Sequence, residues 1–316
     1  MLNYIIFILG FILLIKGADY LIKGAAAISK KYKIPEITIG LTVVALGTSL
    51  PEMVVNVFAS MRGETDLILG NIAGSNIANI FLVLGAGAIL AKLIFTKETI
   101  KIDTPFALGT IYLLLTLIFS YFFITNKLVL TRVHGIIFLL IFISYIYLIF
   151  KRKNEFVEEI PTINIKKAWI YTIIGAIGLF LGGEIVVNEA INIAKQLGLT
   201  TMFIGASIIA LGTSLPELVT IIVSISKKKN DLAIGNIIGS NIFNVLLVLG
   251  VSAIITPLTF TKQSTYSFLF AAFSMILLMY FLINFNKKQR KYQLKKHHGL
   301  IFLALYIIYI ITIFHF

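Results

Sequence analysis

The stretch Gly47-Thr48-Ser49-Leu50-Pro51-Glu52 occurs a second time as Gly212-Thr213-Ser214-Leu215-Pro216-Glu217. Each copy interrupts an apolar run long enough to cross a bilayer. In hydrocarbon a proline and a glutamate at mid-span are costly, because every backbone group and every charge there must find a partner inside the protein. Two such breaks read as a binding site.

The surrounding chain supports a membrane setting. Of its 316 residues, 59% are hydrophobic and only 13% are charged, and the mean hydropathy is +0.98. These values describe a polytopic membrane protein. The net charge of +13 does not indicate nucleic acid, because Lys and Arg fall in short clusters between apolar runs, where they set membrane orientation. There are no cysteines, which excludes disulfides, thiol catalysis and Cys-ligated zinc. The run Ile5 to Ile15, followed by Gly24-Ala25-Ala26-Ala27, is read as a retained first helix. No basic residue precedes it, and its pattern recurs mid-chain from Gly175 to Ala190.

Apolar runs between polar turns give ten expected spans, at about 3–29, 37–61, 67–91, 104–124, 133–150, 168–194, 202–226, 232–257, 265–285 and 299–315. A shift of 165 residues lays Gly40 to Gly85 on Gly205 to Gly250 without a gap, with roughly half of the positions identical. The match extends outward: Gly10 meets Gly175, Gly17 meets Gly182, and Asp19 meets Glu184. Near the ends, His134-Gly135-Ile136-Ile137-Phe138-Leu139 resembles His298-Gly299-Leu300-Ile301-Phe302-Leu303. The expected fold is therefore all-α, with ten transmembrane helices in two five-helix repeats, 1–150 and 168–316, joined by a cytoplasmic linker at 151–167. Five is odd, so the second repeat is inverted relative to the first, the plan of secondary transporters. Alternate loops hold twenty and five Lys and Arg residues. This bias puts the richer set in the cytoplasm and both termini outside a cell (plasma) membrane.

Pro51 lacks an N–H and crowds the carbonyl of Gly47, so the second helix is expected to open around Ala45 to Ser49. The second copy is expected to open around Ala210 to Ser214. Opening points backbone carbonyls, Thr and Ser hydroxyls and a carboxylate into one small volume. These are hard oxygen ligands, suited to calcium or sodium. Glu52 falls only about 5 Å from the midplane of its span at helical rise. Ser49-x-x-Glu52 is also a capping box for a restarted helix; inside a membrane the two readings merge, because a helix restarts only beside protein or a wet cavity.

The next helix carries Gly70-Asn71-Ile72-Ala73-Gly74-Ser75-Asn76-Ile77-Ala78-Asn79, repeated as Gly235-Asn236-Ile237-Ile238-Gly239-Ser240-Asn241-Ile242-Phe243-Asn244. Four-residue spacing puts Asn71, Ser75 and Asn79 on one stripe. The glycines read as helix packing, and Asn71 and Asn76 as structural more than ligating. Two acids at the midplane, Glu52 and Glu217, give a deficit that one calcium ion neutralises. Without a cation two close carboxylates resist carrying both charges, so protons compete with the metal. Asp19, flanked by Lys16 and Lys23, reads as a local ion pair. The four histidines, His134, His297, His298 and His315, lie at span ends and form no metal set.

At these residues the sequence resembles the cation/calcium exchanger superfamily, and within it the microbial sodium/calcium exchanger (calcium/sodium antiporter) branch. Each GTSLPE segment followed by GSNIxN is similar to one of that family's two alpha-repeats, and the resemblance covers the whole chain. It implies that Glu52 and Glu217 bind calcium together with the backbone carbonyls of Thr48 and Thr213. It assigns Ser49, Ser75 and Ala210 to one sodium site and Ser214, Ser240 and Ala45 to another, with Asn79 and Asn244 at the remaining central positions. It further implies exchange of three sodium ions for one calcium ion, with the first and sixth helices sliding across a fixed core. The chain departs from some relatives, including potassium-dependent ones, in having Asn244 where they have Asp. That departure argues against potassium co-transport and leaves the coupling ratio open.

The expected function is thus a secondary active antiporter that extrudes calcium in exchange for sodium by alternating access. Proton-coupled calcium exchange is the alternative, and a cation channel a more distant one, since a channel usually assembles its pore from several subunits. No enzyme is expected, because no Ser/His, Cys/His or His-rich constellation lies near the midplane. No cofactor, nucleic acid or obligatory protein partner is expected. The ions and the bilayer are the partners.

Overall fold

A computed structural model describes residues 2–152, 163–196, 212–284 and 292–314. The chain is mainly helical: α1 (Leu2–Tyr32), α2 (Glu36–Thr48), α3 (Leu50–Arg62), α4 (Thr65–Leu90), α5 (Thr99–Thr125), α6 (Arg132–Lys151), α7 (Ile165–Gln196), α8 (Leu215–Ser226), α9 (Asn230–Ile255), α10 (Lys262–Asn284) and α11 (Lys296–Phe314). Four short strands lie in the connections: β1 (Leu93–Phe95), β2 (Val129–Leu130), β3 (Leu258–Thr259) and β4 (Tyr292–Leu294). Among the described residues, eight helices are long and apolar enough to cross a membrane, and the bent pair α2 and α3 makes a ninth. The expected span at 202–226 lies partly outside the described residues, and so does most of the expected linker at 151–167.

Local chemistry explains the punctuation. Lys33 takes a left-handed conformation after α1, and the Ile34-Pro35 pair then bars the helix from continuing. Gly63, at φ 73°, closes α3 with its N–H on the carbonyls of Ala59 and Ser60. At the start of α6, Thr131 accepts from the His134 N–H while His134 Nδ1 accepts from the Thr131 N–H at 3.2 Å. That capping role for His134 is invisible in a search for metal ligands. His298, near the start of α11, is buried and stacked on Phe281, with ring centroids 4.7 Å apart. His315 lies outside the described residues.

Packing separates into two apolar clusters. The larger joins α4, α5 and α6 to α9, α10 and α11 through large side chains such as Phe81, Phe138, Phe268 and Phe302. The smaller is centred on α1 and α7, with Leu14, Leu21, Ile28, Leu179 and Val186, and touches α2, α8 and α9 through Ile39, Val219 and Leu232. Within it the two long helices approach backbone to backbone. A Cβ added at Gly17 would sit 2.7 Å from the Leu179 nitrogen, one at Gly182 2.7 Å from the Leu14 nitrogen, and one at Gly24 2.5 Å from the Ala168 oxygen. Gly10, Gly17 and Gly24 recur at seven-residue intervals, the period that keeps one seam facing a neighbouring helix. Contacts run from Gly24 against Ala168 to Gly10 against Val186, so α1 and α7 are antiparallel.

The connections interlock. β1 pairs antiparallel with β4, Leu93 opposite Leu294, and β2 with β3, Leu130 opposite Leu258. Each two-stranded ribbon thus draws one strand from each half of the chain.

Candidate functional site

Pro51 and Pro216 both sit in the first turn of a helix, α3 and α8, whose N-cap residues are Ser49 and Ser214. The break between α2 and α3 is narrower than Ala45 to Ser49. Ala45–Thr48 stays helical, only Ser49 leaves the helical region at φ −87° and ψ 9°, and the axis turns by 50°. The reason is local. The Ser49 N–H still reaches the Ala45 carbonyl at 3.0 Å and the Met53 N–H reaches Ser49 at 3.1 Å, so the bond that Pro51 cannot make is the one principally lost. Part of the irregularity moves upstream, into a widened π-turn at Gly40–Val44. Ser49 makes no side-chain capping bond. Its hydroxyl donates instead to Glu217 Oε1, 3.4 Å away on the other half of the chain.

Around the two breaks the side chains form matched sets. Ser75 Oγ donates to Glu52 Oε1 at 3.4 Å, and Ser240 Oγ donates to Glu217 Oε1 at the same distance. Ser75 lies 3.4 Å from the Thr213 hydroxyl, and Ser240 lies 3.3 Å from the Thr48 hydroxyl. Thr213 in turn donates to Asn71 Oδ1 at 3.3 Å, and Thr48 to Asn236 Oδ1 at 2.9 Å. These last bonds give Asn71 and Asn236 a defined task. By engaging the threonine hydroxyls they hold each threonine in place from the opposite half of the chain. The repeated spacing signalled both asparagines, but their partners are far away in sequence.

Ala45, Thr48, Ser49, Glu52, Ser75, Asn79, Ser214, Glu217, Ser240 and Asn244 are all buried, and Thr213 is half-buried. Ala210 lies outside the described residues. Asn244 donates to Asn76 Oδ1 at 3.1 Å, linking α9 to α4. Asn79 is the second residue and Asn244 the first of π-helical turns, Ala78–Leu84 and Asn244–Val248, a distortion that often marks functional sites. Among the described residues, Glu52 Oε2, Glu217 Oε2, Asn79 Oδ1, Asn244 Oδ1 and Ser214 Oγ have no hydrogen-bond partner. Buried oxygens are rarely left so. Two repeat-matched pairs stand among them, Glu52 with Glu217 and Asn79 with Asn244, and their oxygens are of the hard type that calcium or sodium takes.

The motif glycines divide between two environments. A Cβ at Gly235 would meet the Ile37 carbonyl at 2.6 Å and one at Gly239 the Leu41 carbonyl at 2.6 Å, so α9 packs directly on α2. Gly70 and Gly74 have nothing within 4 Å among the described residues, so the expectation of helix packing holds for only one pair. They line a cavity of about 430 Å³ that also touches Asp66, Asn71, Ser75, Glu184, Thr213 and Pro216. It runs from the α3–α4 turn to the hydroxyls of the site.

Comparison with known proteins bears on this geometry. The family model described as sodium/calcium exchanger protein matches residues 2–151 and 167–315. The chain belongs to the sodium/calcium exchanger family. It is 34% identical over 248 residues to inner membrane protein YrbG of Escherichia coli (strain K12), covering 74% of each chain. It is 28% identical to the sodium/calcium exchanger MaX1 of Methanosarcina acetivorans, covering 99% of each. A solved structure of the sodium-calcium exchanger NCX_Mj superposes with a TM-score of 0.83 at 30% identity, covering 98% of both chains. Membership makes this exchanger a helical, multi-pass membrane protein and a cation antiporter in a family of transporters.

Proposed function

We propose that this exchanger moves calcium out across the cell membrane against sodium. Ten spans in two inverted repeats, 1–150 and 168–316, would carry the process, with 151–167 as a cytoplasmic linker and both termini outside. The antiparallel α1 and α7, the strand pairs shared between halves and the matched bonds of the site support this plan. Glu52, Glu217 and the carbonyls of Thr48 and Thr213 hold calcium. Ser49, Ser75 and Ala210, and in the other half Ser214, Ser240 and Ala45, hold sodium, with Asn79 and Asn244 between them.

The observation that carries the reading is the pair of buried carboxylates, each with one oxygen unpartnered, brought to one site where Ser49, the N-cap of the helix bearing Glu52, reaches Glu217. Two buried negative charges without a counterion are strongly unfavourable. One divalent ion neutralises both, and sodium ions in the flanking hydroxyl sets do so in its place. Since hydroxyls of both sodium sets bond the carboxylates that calcium uses, Ser75 to Glu52 and Ser49 and Ser240 to Glu217, filling those sets takes up the charge that calcium needs, which is the condition for exchange in place of joint transport. The cavity on the α3–α4 side supplies access from outside. The small-residue seam holding α1 to α7 lets that pair shift as a body over the larger cluster.

The test is calcium-45 uptake into reconstituted vesicles under an imposed sodium or proton gradient. The sodium gradient is expected to drive uptake. Uptake driven by the proton gradient alone would replace sodium with protons as the coupling ion, a reading that the buried carboxylate pair also accommodates.

A further inference from the structure

Asp19, on α1, makes two ion pairs. One is local, with Lys23 at 2.8 Å; the other joins Lys227, immediately after α8. The second crosses from the α1–α7 pair to a helix that carries an ion-site glutamate. The 165-residue shift maps Asp19 onto Glu184 and Lys227 onto Arg62, so the repeat contains a second acid and a second base in the same relation. Among the described residues no ion pair joins Glu184 to Arg62. Both side chains are exposed, and Glu184 lines the outer cavity. Helix packing follows the same division. α1 lies along α8 over an extended contact, whereas the repeat-equivalent α7 meets α3 only marginally. Beside the ion pair a cavity of about 390 Å³, lined by Lys23, Lys30 and Lys227, touches none of the site hydroxyls; where the pair is missing, the cavity between α7 and α3 reaches Ser75 and Thr213.

We infer that Asp19–Lys227 and Glu184–Arg62 are two latches that form in turn. The first closes the cytoplasmic side in the conformation described, and the second forms when α7 settles on α3 and seals the outer cavity. Charge sign makes the device work. Each latch joins an acid on the moving pair to a base at the end of a site helix, so forming one requires breaking the other. Lys23 orients Asp19 but belongs to α1 itself and cannot report on closure. Its repeat counterpart, Asn188, has no charge, which leaves Glu184 free to take Arg62 alone. The inference rests on the alternating-access reading of the preceding section.

The absence of cysteine makes the test direct. A single Val55→Cys on the wall of the outer cavity is labelled in vesicles by membrane-impermeant thiol reagents at fixed sodium and calcium. Asp19→Asn and Lys227→Gln are expected to slow labelling about three- to fivefold, the size of a partly exposed ion pair, because the outward-open state loses its latch. Glu184→Gln and Arg62→Gln are expected to speed it. The exchanged pair Asp19→Lys with Lys227→Asp is expected to restore the parent rate. Agreement between a cationic and an anionic reagent separates a conformational shift from a change in local field, and thermal unfolding midpoints identify any variant that is merely destabilised. Shifts in the same direction for both pairs, or no shift in either, would overturn the latches. Opposite shifts without sodium-driven calcium uptake would remove the transport assignment and leave the latches standing. Normal sodium-driven uptake with unmoved labelling would remove the latches alone.

Discussion

The two apolar clusters solve different packing problems. Helices α4 to α6 and α9 to α11 interlock through aromatic and branched side chains, with Phe81 in edge or tilted contact with Phe270, Phe273 and Phe302. The α1–α7 pair is joined through glycines that bring two backbones together. Interdigitated side chains fix one register, because displacement opens cavities and creates clashes. A smooth seam of small residues makes a tight pair while presenting few ridges to whatever lies outside it. The ion site belongs to the first kind of structure, and the body proposed to move over it belongs to the second.

Five substitutions test that contrast, and the largest effect is expected in the fixed part. Glu52→Gln or Glu217→Gln removes one of two negative charges from the calcium position, and calcium-45 exchange should fall at least about 100-fold, with the fold preserved by far-ultraviolet circular dichroism. Full activity in either variant would remove that residue from the site. Gly175→Leu drives a side chain into the backbone of α1 at Leu21. It should lower stability by about 3 kcal/mol or more, seen as a large drop in the unfolding midpoint in detergent. Relief by side-chain rotation is unavailable there, in contrast to Gly87, where the nearest atom, at 2.7 Å, is the Ile221 Cδ1 at the far end of a side chain.

A smaller effect is expected from Thr48→Val, which keeps the carbonyl and removes the hydroxyl bonded to Asn236. The apparent affinity for calcium should fall about 5- to 30-fold, equivalent to about 1–2 kcal/mol, with little change in maximal rate. An unchanged affinity would mean that the asparagine anchor does not position the carbonyl. Lys23→Gln, removing an exposed pair within one helix, should change exchange by less than about twofold.

Much of this was legible in one dimension. The helix restarts at Ser49 and Ser214 and the limits of the described long helices appear in the structure within a few residues of expectation, because hydrophobic period and proline chemistry act locally. Three kinds of feature were not legible. The π-turns at Gly40–Val44, Ala78–Leu84 and Asn244–Val248 have no sequence marker of their own, since they depend on what the neighbouring helices allow. The partners of Thr48, Thr213 and Asp19 lie in the other half of the chain. The capping reading of Ser49 was reasonable for an isolated helix, but a carboxylate from the opposite half claims its hydroxyl. Local rules located these residues, and only the folded chain supplied their partners.

The shared ribbons impose an order on biogenesis. β1 leaves the ribosome about 200 residues before β4, and β2 well before β3. The first half therefore enters the bilayer with two strand edges unpaired and must hold them at the water interface until the last helices arrive. When they do, each edge accepts a strand in only one register, so late insertion is checked twice, once at each membrane surface. A nascent chain halted after α6 should accordingly be a ready target for quality-control proteases, although its own five helices are already in the lipid.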